Sequence, residues 1–246
     1  MIKRRVLMIG SNDEAIGAKI DVENYCKFLK SLNGGAWEDN EIIGPLYNPS
    51  YIELSSIIQK LKYSTLDYLI VFFSGHGETV RELQIYINDE GEVIDESNLK
   101  GIAQRQLTIF DSCRAIEHLR EDSILSKSFS ASDSLNYDVR EIIKQKYNER
   151  IMNAFPQQAT LYSCKRGQKS NGSSTEGAFY FKNLLKSAKN IKSEFKTIGE
   201  THLEAVPPTI NESRLEGNLQ EPEAVLIKCP VDKQLIMSIN PTFYLR

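Results

Sequence analysis

Two apolar runs that end abruptly in polar residues place the strongest constraint on the fold of this chain. The first, Asp67–Ser74, leads into His76, and the second, Leu107–Phe110, leads through an aspartate and a serine into Cys113. Uninterrupted runs of branched and aromatic residues are typical of strands buried on both faces of a parallel sheet. Because functional groups of open α/β sheets lie beyond the carboxyl ends of the strands, the sequence predicts that His76 and Cys113 share one sheet edge.

A thiol beside an imidazole is the activated nucleophile of a cysteine hydrolase. Free cysteines are also common in protein cores, so a buried structural cysteine and a core histidine remain an alternative at this point. Two matching strand ends favour the catalytic interpretation.

The rest of the chain has the pattern of alternating strands and helices that predicts a mostly parallel sheet between helix layers. An alternating stretch around Asn88–Gly91 indicates a β-hairpin. Residues 114–157 form a polar, serine-rich excursion that contains a helix over 138–152. Residues 200–219 are interpreted as a polar, proline-containing connection, and Glu223–Cys229 as the last strand. The sequence suggests no second domain.

Composition excludes several function classes. The 246 residues carry a net charge of −3 with no basic stripe, which argues against nucleic acid as a partner. No apolar stretch reaches the roughly 20 residues of a membrane span, and the start is too short to be the core of a signal peptide. The four cysteines lack metal or disulfide spacing, so we expect reduced thiols in the cytoplasm. Cys26 and Cys229 are expected to be packing residues, and His202 a residue without a nearby partner.

Three motifs together resemble the caspase-type (clan CD) cysteine peptidases, and most closely their metacaspase-like and bacterial caspase-like members. They are Ser-Gly-His-Gly at 74–77, Asp-Ser-Cys at 111–113, and Leu-Tyr-Ser-Cys-Lys-Arg-Gly-Gln at 161–168, followed by Gly-Ala-Phe at 177–179. The resemblance implies a three-layer α/β fold with a six-stranded, mostly parallel sheet flanked by helices, plus the small hairpin. It also implies one peptidase domain over 1–246, with residues 1–114 like a large subunit, 115–157 a linker, and 158–246 like a small subunit.

The mechanism that the resemblance implies is peptide cleavage through a thioester. Cys113 would attack the substrate carbonyl, and His76 would protonate the leaving amine. The backbone N–H groups of Gly77 and Cys113 would form the oxyanion hole, where each preorganised donor contributes on the order of 3 kcal/mol.

The residue two positions before the nucleophile points to the substrate. Caspases carry Gln-Ala-Cys-Arg-Gly there and accept aspartate, whereas this chain has Asp111, as metacaspases do. Asp21 and Ser74 resemble the other residues of the metacaspase pocket, so the substrate residue before the cleaved bond (P1) is predicted to be arginine or lysine. Asp21 has an alternative role as a helix N-cap.

Further residues of the substrate groove are expected around the third motif. Ser163 and Lys165 are assigned to substrate binding, within a wall that runs to residue 170. An apolar P1 residue remains open if Lys165 or Arg166 engages the carboxylate two residues before the nucleophile.

No cofactor is required by this interpretation, although many metacaspases need calcium. Asp89 and Asp95 are weak candidates for a calcium site, with solvated or helix-capping roles as the alternative. Basic residues of the excursion are candidates for self-cleavage if P1 is basic: Arg120, Lys127, Arg140 and Lys146.

The function expected from this resemblance is that of an endopeptidase effector of regulated proteolysis in bacterial defence or cell death. Such an enzyme would cut a partner protein, for instance a pore-former, after a separate sensor or regulator activates it. A catalytically silent caspase-like scaffold is the alternative, and an unrelated flavodoxin-like module, with a phosphate loop near Gly10, is a third possibility.

Overall fold

A computed structural model describes residues 2–11, 16–115, 137–173 and 175–245 of the chain. The helices are α1 (Ile16–Lys30), α2 (Tyr51–Tyr63), α3 (Tyr137–Asn153), α4 (Phe179–Lys189) and α5 (Ile198–Leu215). The strands are β1 (Arg4–Gly10), β2 (Ile42–Tyr47), β3 (Tyr68–Ser74), β4 (Gly77–Thr79), β5 (Leu83–Tyr86), β6 (Val93–Asp95), β7 (Arg105–Asp111), β8 (Gln157–Tyr162), β9 (Gly172–Ser173), β10 (Gly177–Ala178), β11 (Phe195–Thr197), β12 (Glu223–Val225) and β13 (Ile236–Ile239).

A six-stranded sheet with the order β12-β8-β7-β3-β1-β2 forms the centre of the molecule. Its strands are parallel except β12, which runs antiparallel to β8. The predicted hairpin is present as β5 and β6, and β4 extends it to three strands. The predicted fold class is therefore confirmed.

The two faces of the sheet bury two separate apolar cores, as the period of two along each strand requires. In β3, for example, Ile70 and Phe72 face the core formed with α1, α3 and α4, whereas Leu69 and Val71 face the core formed with α2. This alternation makes the molecule three layers thick and explains why β3 and β7 are buried along their whole length.

A buried ion pair fixes the start of β1. The Arg4 guanidinium is 1% exposed and binds Glu41 through Nε and Nη2, each 2.9 Å from a carboxylate oxygen. The same guanidinium lies 4.0 Å from the centre of the Trp37 ring and donates to Asn148. The bidentate geometry and the additional acceptor on Asn148 compensate for the cost of burying both charges.

The polar, proline-containing stretch over residues 200–219 is mostly helical, because α5 occupies most of it despite Pro207 and Pro208. A capping box between Thr197 and Glu200 starts this helix, and its inner face packs against α4. Tertiary packing and a strong cap therefore outweigh the two missing backbone N–H donors.

His202 on this helix has a hydrogen-bond partner, so the prediction that it has none nearby is wrong. The side chain is buried, and Nδ1 lies 2.8 Å from the Tyr180 hydroxyl. Burial lowers the pKa of His202 to about 4, so it is a neutral core residue.

Two other segments depart from the predicted pattern. The last strand of the main sheet ends at Val225 rather than Cys229, and β11 and β13 form an additional antiparallel pair that the sequence did not suggest. Cys26 packs against a core as predicted, whereas Cys229 is only half-buried and lies outside a strand. Among the helices of the described residues, none is both long enough and apolar enough to cross a lipid bilayer.

Candidate active site

The register of the parallel strands brings three polar segments to one sheet edge. Gly10 in β1, Ser74 in β3 and Asp111 in β7 are neighbours across the carboxyl ends of these strands. The Gly75 N–H donates to the Asp111 carbonyl over 3.1 Å, which continues the pairing one residue beyond β3. The residues that follow, including His76 and Cys113, therefore leave the sheet at adjacent points.

The backbone after His76 lies against the backbone at Cys113. A Cβ atom on Gly77 would lie 2.9 Å from the Cys113 carbonyl oxygen and 2.9 Å from Ser112 Oγ, so only glycine allows this approach. The exposed His76 imidazole is carried between β3 and β4, and its carbonyl accepts from Tyr86 N–H over 3.0 Å. The two predicted catalytic residues thus come from segments in direct contact.

The Cys113 thiol is half-buried, and its Sγ lies 3.7 Å from the Ser170 carbonyl oxygen, to which it donates. Burial raises the pKa of this thiol above its usual value, while the positive charge of Lys169 lowers it in part. Because the net effect is upward, a nucleophilic role for Cys113 would require a base that takes its proton.

A second thiol lies next to this site but is unsuited to attack. Cys164 is fully buried, with Sγ 3.5 Å from the Ser112 carbonyl and 3.3 Å from the Gln168 carbonyl. Burial raises the pKa of Cys164 to about 12, so this side chain remains a neutral thiol. Its surroundings fit a packing role.

Three of the predicted pocket residues lie together at this edge of the sheet. Asp21 comes from α1 and accepts from Ser74 Oγ over 2.9 Å and from Ala178 N–H over 3.1 Å. Asp111 accepts from Ser170 Oγ over 2.8 Å and from Phe181 N–H over 3.2 Å. Both carboxyl groups are at most 2% exposed.

Burial of two carboxyl groups at one place makes their ionisation costly. Burial raises the pKa of Asp111 to about 6, although hydrogen bonds from Ser170 and Phe181 oppose this shift. Burial, and then the charge of Asp111, raise the pKa of Asp21 well above its usual value. At neutral pH the pair therefore tends to retain a proton, and a cation placed beside it would favour proton release.

The acidic pair also explains how α4 begins. This helix starts after Ala178, which has no side chain that could cap it, so its first N–H groups need other acceptors. Asp21 accepts from the N–H at the cap position, and Asp111 accepts from the N–H of Phe181 in the first turn. The alternative for Asp21 as the N-cap of its own helix is wrong, because Asp21 lies inside α1, but it does cap a different helix.

Two residues of the third motif have different surroundings. Ser163 is fully buried, and its hydroxyl donates to the Ser112 carbonyl over 3.0 Å and accepts from Ser112 N–H over 3.2 Å. Lys165 is exposed, with its Nζ 3.2 Å from Glu221, and Arg166 donates to a carbonyl of the preceding hairpin segment. Ser163 thus supports the backbone before the nucleophile, whereas the two basic side chains are engaged away from Asp111.

Sequence reasoning missed two residues of the site. Gly177 has φ +84°, and a Cβ there would lie 2.1 Å from Asp21 Oδ1, so the glycine admits the carboxylate. Its place in the third motif was a usable signal. Gln220 is fully buried against the loop that carries Ser170, and nothing in its local sequence marks it.

The two candidate calcium ligands each accept a hydrogen bond from a different side chain. Asp89 accepts from Asn48 and Asp95 accepts from Gln84, each over 3.0 Å. Within the ranges that the structure describes, no group of three or more acidic, histidine or cysteine side chains is arranged to hold a metal ion.

Two of the four predicted self-cleavage positions lie among the described residues and two lie outside them. Arg140 and Lys146 lie within the hydrogen-bonded backbone of α3, and Arg120 and Lys127 lie outside the described residues.

Comparison with known proteins agrees with this architecture. The family model described as the caspase domain matches residues 3–224. Among solved structures, caspase-1 from Spodoptera frugiperda is similar at a TM-score of 0.57 and 16% sequence identity, with 91% of this chain and 87% of that chain covered. At this identity the structural likeness establishes the fold alone. No curated protein matches the chain. The family match over most of its length shows that the chain belongs to the caspase-domain family.

Proposed function

We propose that this protein is a cysteine endopeptidase that cleaves partner proteins after arginine or lysine, with Cys113 as nucleophile and His76 as general base and acid. The observation that carries the proposal is the buried acidic pair, Asp21 and Asp111, beside the thiol. A buried pair of carboxyl groups needs a reason to exist, and a cationic substrate side chain supplies one.

The proposed reaction begins with proton transfer from the Cys113 thiol to the His76 imidazole. The thiolate attacks the substrate carbonyl carbon, and the N–H groups of Gly77 and Cys113 stabilise the oxyanion. His76 then donates its proton to the leaving amine, and a thioester remains on Cys113. Water, deprotonated by His76, hydrolyses the thioester and restores the free thiol.

The charge of the pocket supports a basic P1 residue. Each ionised carboxylate offers about four acceptor positions, so Asp21 and Asp111 retain lone pairs after bonding Ser74, Ser170 and the start of α4. An arginine or lysine side chain would use these lone pairs and promote loss of the retained proton. An anionic side chain would instead meet like charge in a poorly solvated site.

Fluorogenic peptides that differ only in the P1 residue test this proposal. We expect kcat/KM to be highest for arginine or lysine, at least a hundredfold lower for leucine and aspartate, and abolished by Cys113→Ala. Preferred cleavage after aspartate, or equal cleavage by the Cys113→Ala protein, would refute it. His76→Ala separates a dyad from an unassisted thiol, since only a dyad loses most of its kcat.

We further propose that the enzyme acts in regulated proteolysis, as an effector in bacterial defence or cell death that a sensor or regulator switches on. The near-complete burial of both carboxyl groups supports a need for activation, because a substrate side chain cannot reach them without movement of the wall around Ser170. Processing within residues 115–157, between the parts resembling large and small subunits, would be one route to activation. Mass spectrometry of the wild type beside Cys113→Ala would detect it, and a proteome-wide cleavage profile would identify the partner.

A further inference from the structure

We propose that Gln220 is a positioning residue that, through Ser170, holds the nucleophile and the acidic pair in place. This inference rests on the proposed peptidase function and names a residue outside the motifs of the site. Gln220 lies just before β12, more than a hundred residues along the chain from Cys113. Its side chain links this distant segment to the loop beside the thiol.

The Gln220 amide is fully buried and bonded at both ends. Nε2 donates to the Ser163 carbonyl over 2.9 Å and lies 3.4 Å from Ser170 Oγ. Oε1 accepts from Asn171 N–H over 3.0 Å. These contacts satisfy backbone groups of the loop that regular secondary structure leaves without partners, and they fix the loop relative to β8.

Ser170 connects Gln220 to the site through two independent contacts. Its hydroxyl donates to Asp111, and its carbonyl accepts from the Cys113 thiol. Ser163, the other partner of Gln220, holds Ser112 by a pair of hydrogen bonds. The buried amide of Gln220 therefore positions both the backbone before Cys113, through Ser163, and the loop beside the Cys113 thiol, through Ser170.

The mechanism needs the thiol and the P1 carboxylates at a fixed separation, since one residue of substrate spans both. A misplacement of about 1 Å can cost about a hundredfold in rate. A residue that sets this separation without touching the substrate should change kcat more than it changes KM. Partial unfolding would also lower the apparent kcat without changing KM, so a control variant of equal stability is needed to separate the two effects.

The chain offers a matched control in Gln106. This glutamine is also fully buried, bonds backbone groups through both ends of its amide, and lies near the start of β7, at the opposite end of the strand from the site. Methionine preserves the shape of either glutamine but removes its hydrogen bonds. We expect Gln220→Met and Gln106→Met to lower Tm by similar amounts, and only Gln220→Met to lower kcat on a P1-arginine peptide, by about tenfold to a hundredfold.

A second readout keeps the inference testable if either variant folds poorly or if no peptide is cleaved. Ser170→Ala should lower kcat and change the rate at which iodoacetamide alkylates Cys113, measured by peptide mass spectrometry, whereas Ser170→Thr should restore both. Equal kcat and equal Cys113 alkylation in Gln220→Met and Gln106→Met would overturn the positioning role. If the wild type cleaves none of the peptides but Cys113 alkylation changes in Gln220→Met and not in Gln106→Met, the peptidase proposal fails and the positioning role stands.

Discussion

Replacement of Asp111 by asparagine should change how the stability of the protein depends on pH. Burial raises the pKa of the Asp111 carboxyl from its usual 3.8 to about 6 in the folded protein. One pKa unit corresponds to about 1.36 kcal/mol, so this difference represents about 3 kcal/mol of folding free energy. Asp111→Asn removes the titrating group and keeps nearly the same shape.

The sign of the effect follows from where the proton is held. Between the two pKa values the folded protein keeps a proton on Asp111 that the unfolded chain has lost. The stabilisation is therefore complete below about pH 3.8 and disappears as the pH rises through about 6. The Asp111 charge also raises the pKa of Asp21. Its removal therefore makes ionised Asp21 less costly, which also stabilises the variant relative to the wild type as the pH rises.

The asparagine variant carries one offset that does not depend on pH. Its amide can accept from either Ser170 or Phe181 but presents an N–H to the other donor, which costs about 1–3 kcal/mol. We thus expect Asp111→Asn to be less stable than the wild type near pH 4, and to gain about 3 kcal/mol on the wild type by about pH 7.

Urea unfolding of both proteins across this range measures the effect. The quantity to follow is the difference in unfolding free energy between variant and wild type, since the titrating groups other than Asp21 contribute nearly equally to both. A difference that stays constant with pH, or moves in favour of the wild type as pH rises, would refute a raised pKa at Asp111. The same variant should lose at least a hundredfold in kcat/KM on P1-arginine peptides, because the pocket loses half of its charge.

Three further substitutions test other parts of the structure. Gly77→Ala should abolish peptidase activity and lower Tm, since its Cβ would press on the Cys113 carbonyl at 2.9 Å; retained activity with an unchanged Tm would contradict the tight approach of the two segments. Gly177→Ala should destabilise the protein by at least about 2 kcal/mol, measured by urea unfolding, because it combines φ +84° with a carboxylate oxygen 2.1 Å from the new methyl group; an unchanged midpoint would show that the turn adapts. Arg4→Met should cost about 3 kcal/mol by removing the bidentate partner of Glu41, which keeps Lys144 Nζ at 3.7 Å as a cationic partner, and a loss below about 1 kcal/mol in the same assay would show that Lys144 and solvent suffice for the carboxylate.

The central sheet could be predicted because its strands carry a local signal. β3 and β7 are continuous apolar runs that end at polar residues, and burial on both faces is what such runs require. α5 could not be predicted, because Pro207 and Pro208 and a polar composition argue locally against a helix. The packing against α4 that stabilises it depends on side chains of the preceding helix and leaves no pattern within the stretch itself.

The residues of the candidate site also fall into those that a local sequence signal predicts and those that it does not. Ser74, Asp111 and Cys113 lie in short motifs at strand ends, so their proximity follows from strand register. Gln220 contacts the site only because the segment before β12 crosses the loop of residues 163–171, and a single glutamine in a polar stretch has no periodicity that could reveal this. Long-range polar contacts of this kind become visible only when burial and hydrogen bonds are known.

The acidic pair links the proposed substrate specificity to the architecture of the chain. Asp21 and Asp111 cap α4, so neither can be replaced by an apolar residue without leaving N–H groups of that helix unpaired. A neutral acceptor such as asparagine would serve the cap at lower electrostatic cost, yet the chain retains two carboxyl groups whose burial raises their pKa values. The cap therefore explains why acceptors lie there, but not why both are ionisable. A cationic ligand explains why both groups are ionisable, because it is attracted by negative charge that the helix cap alone does not require.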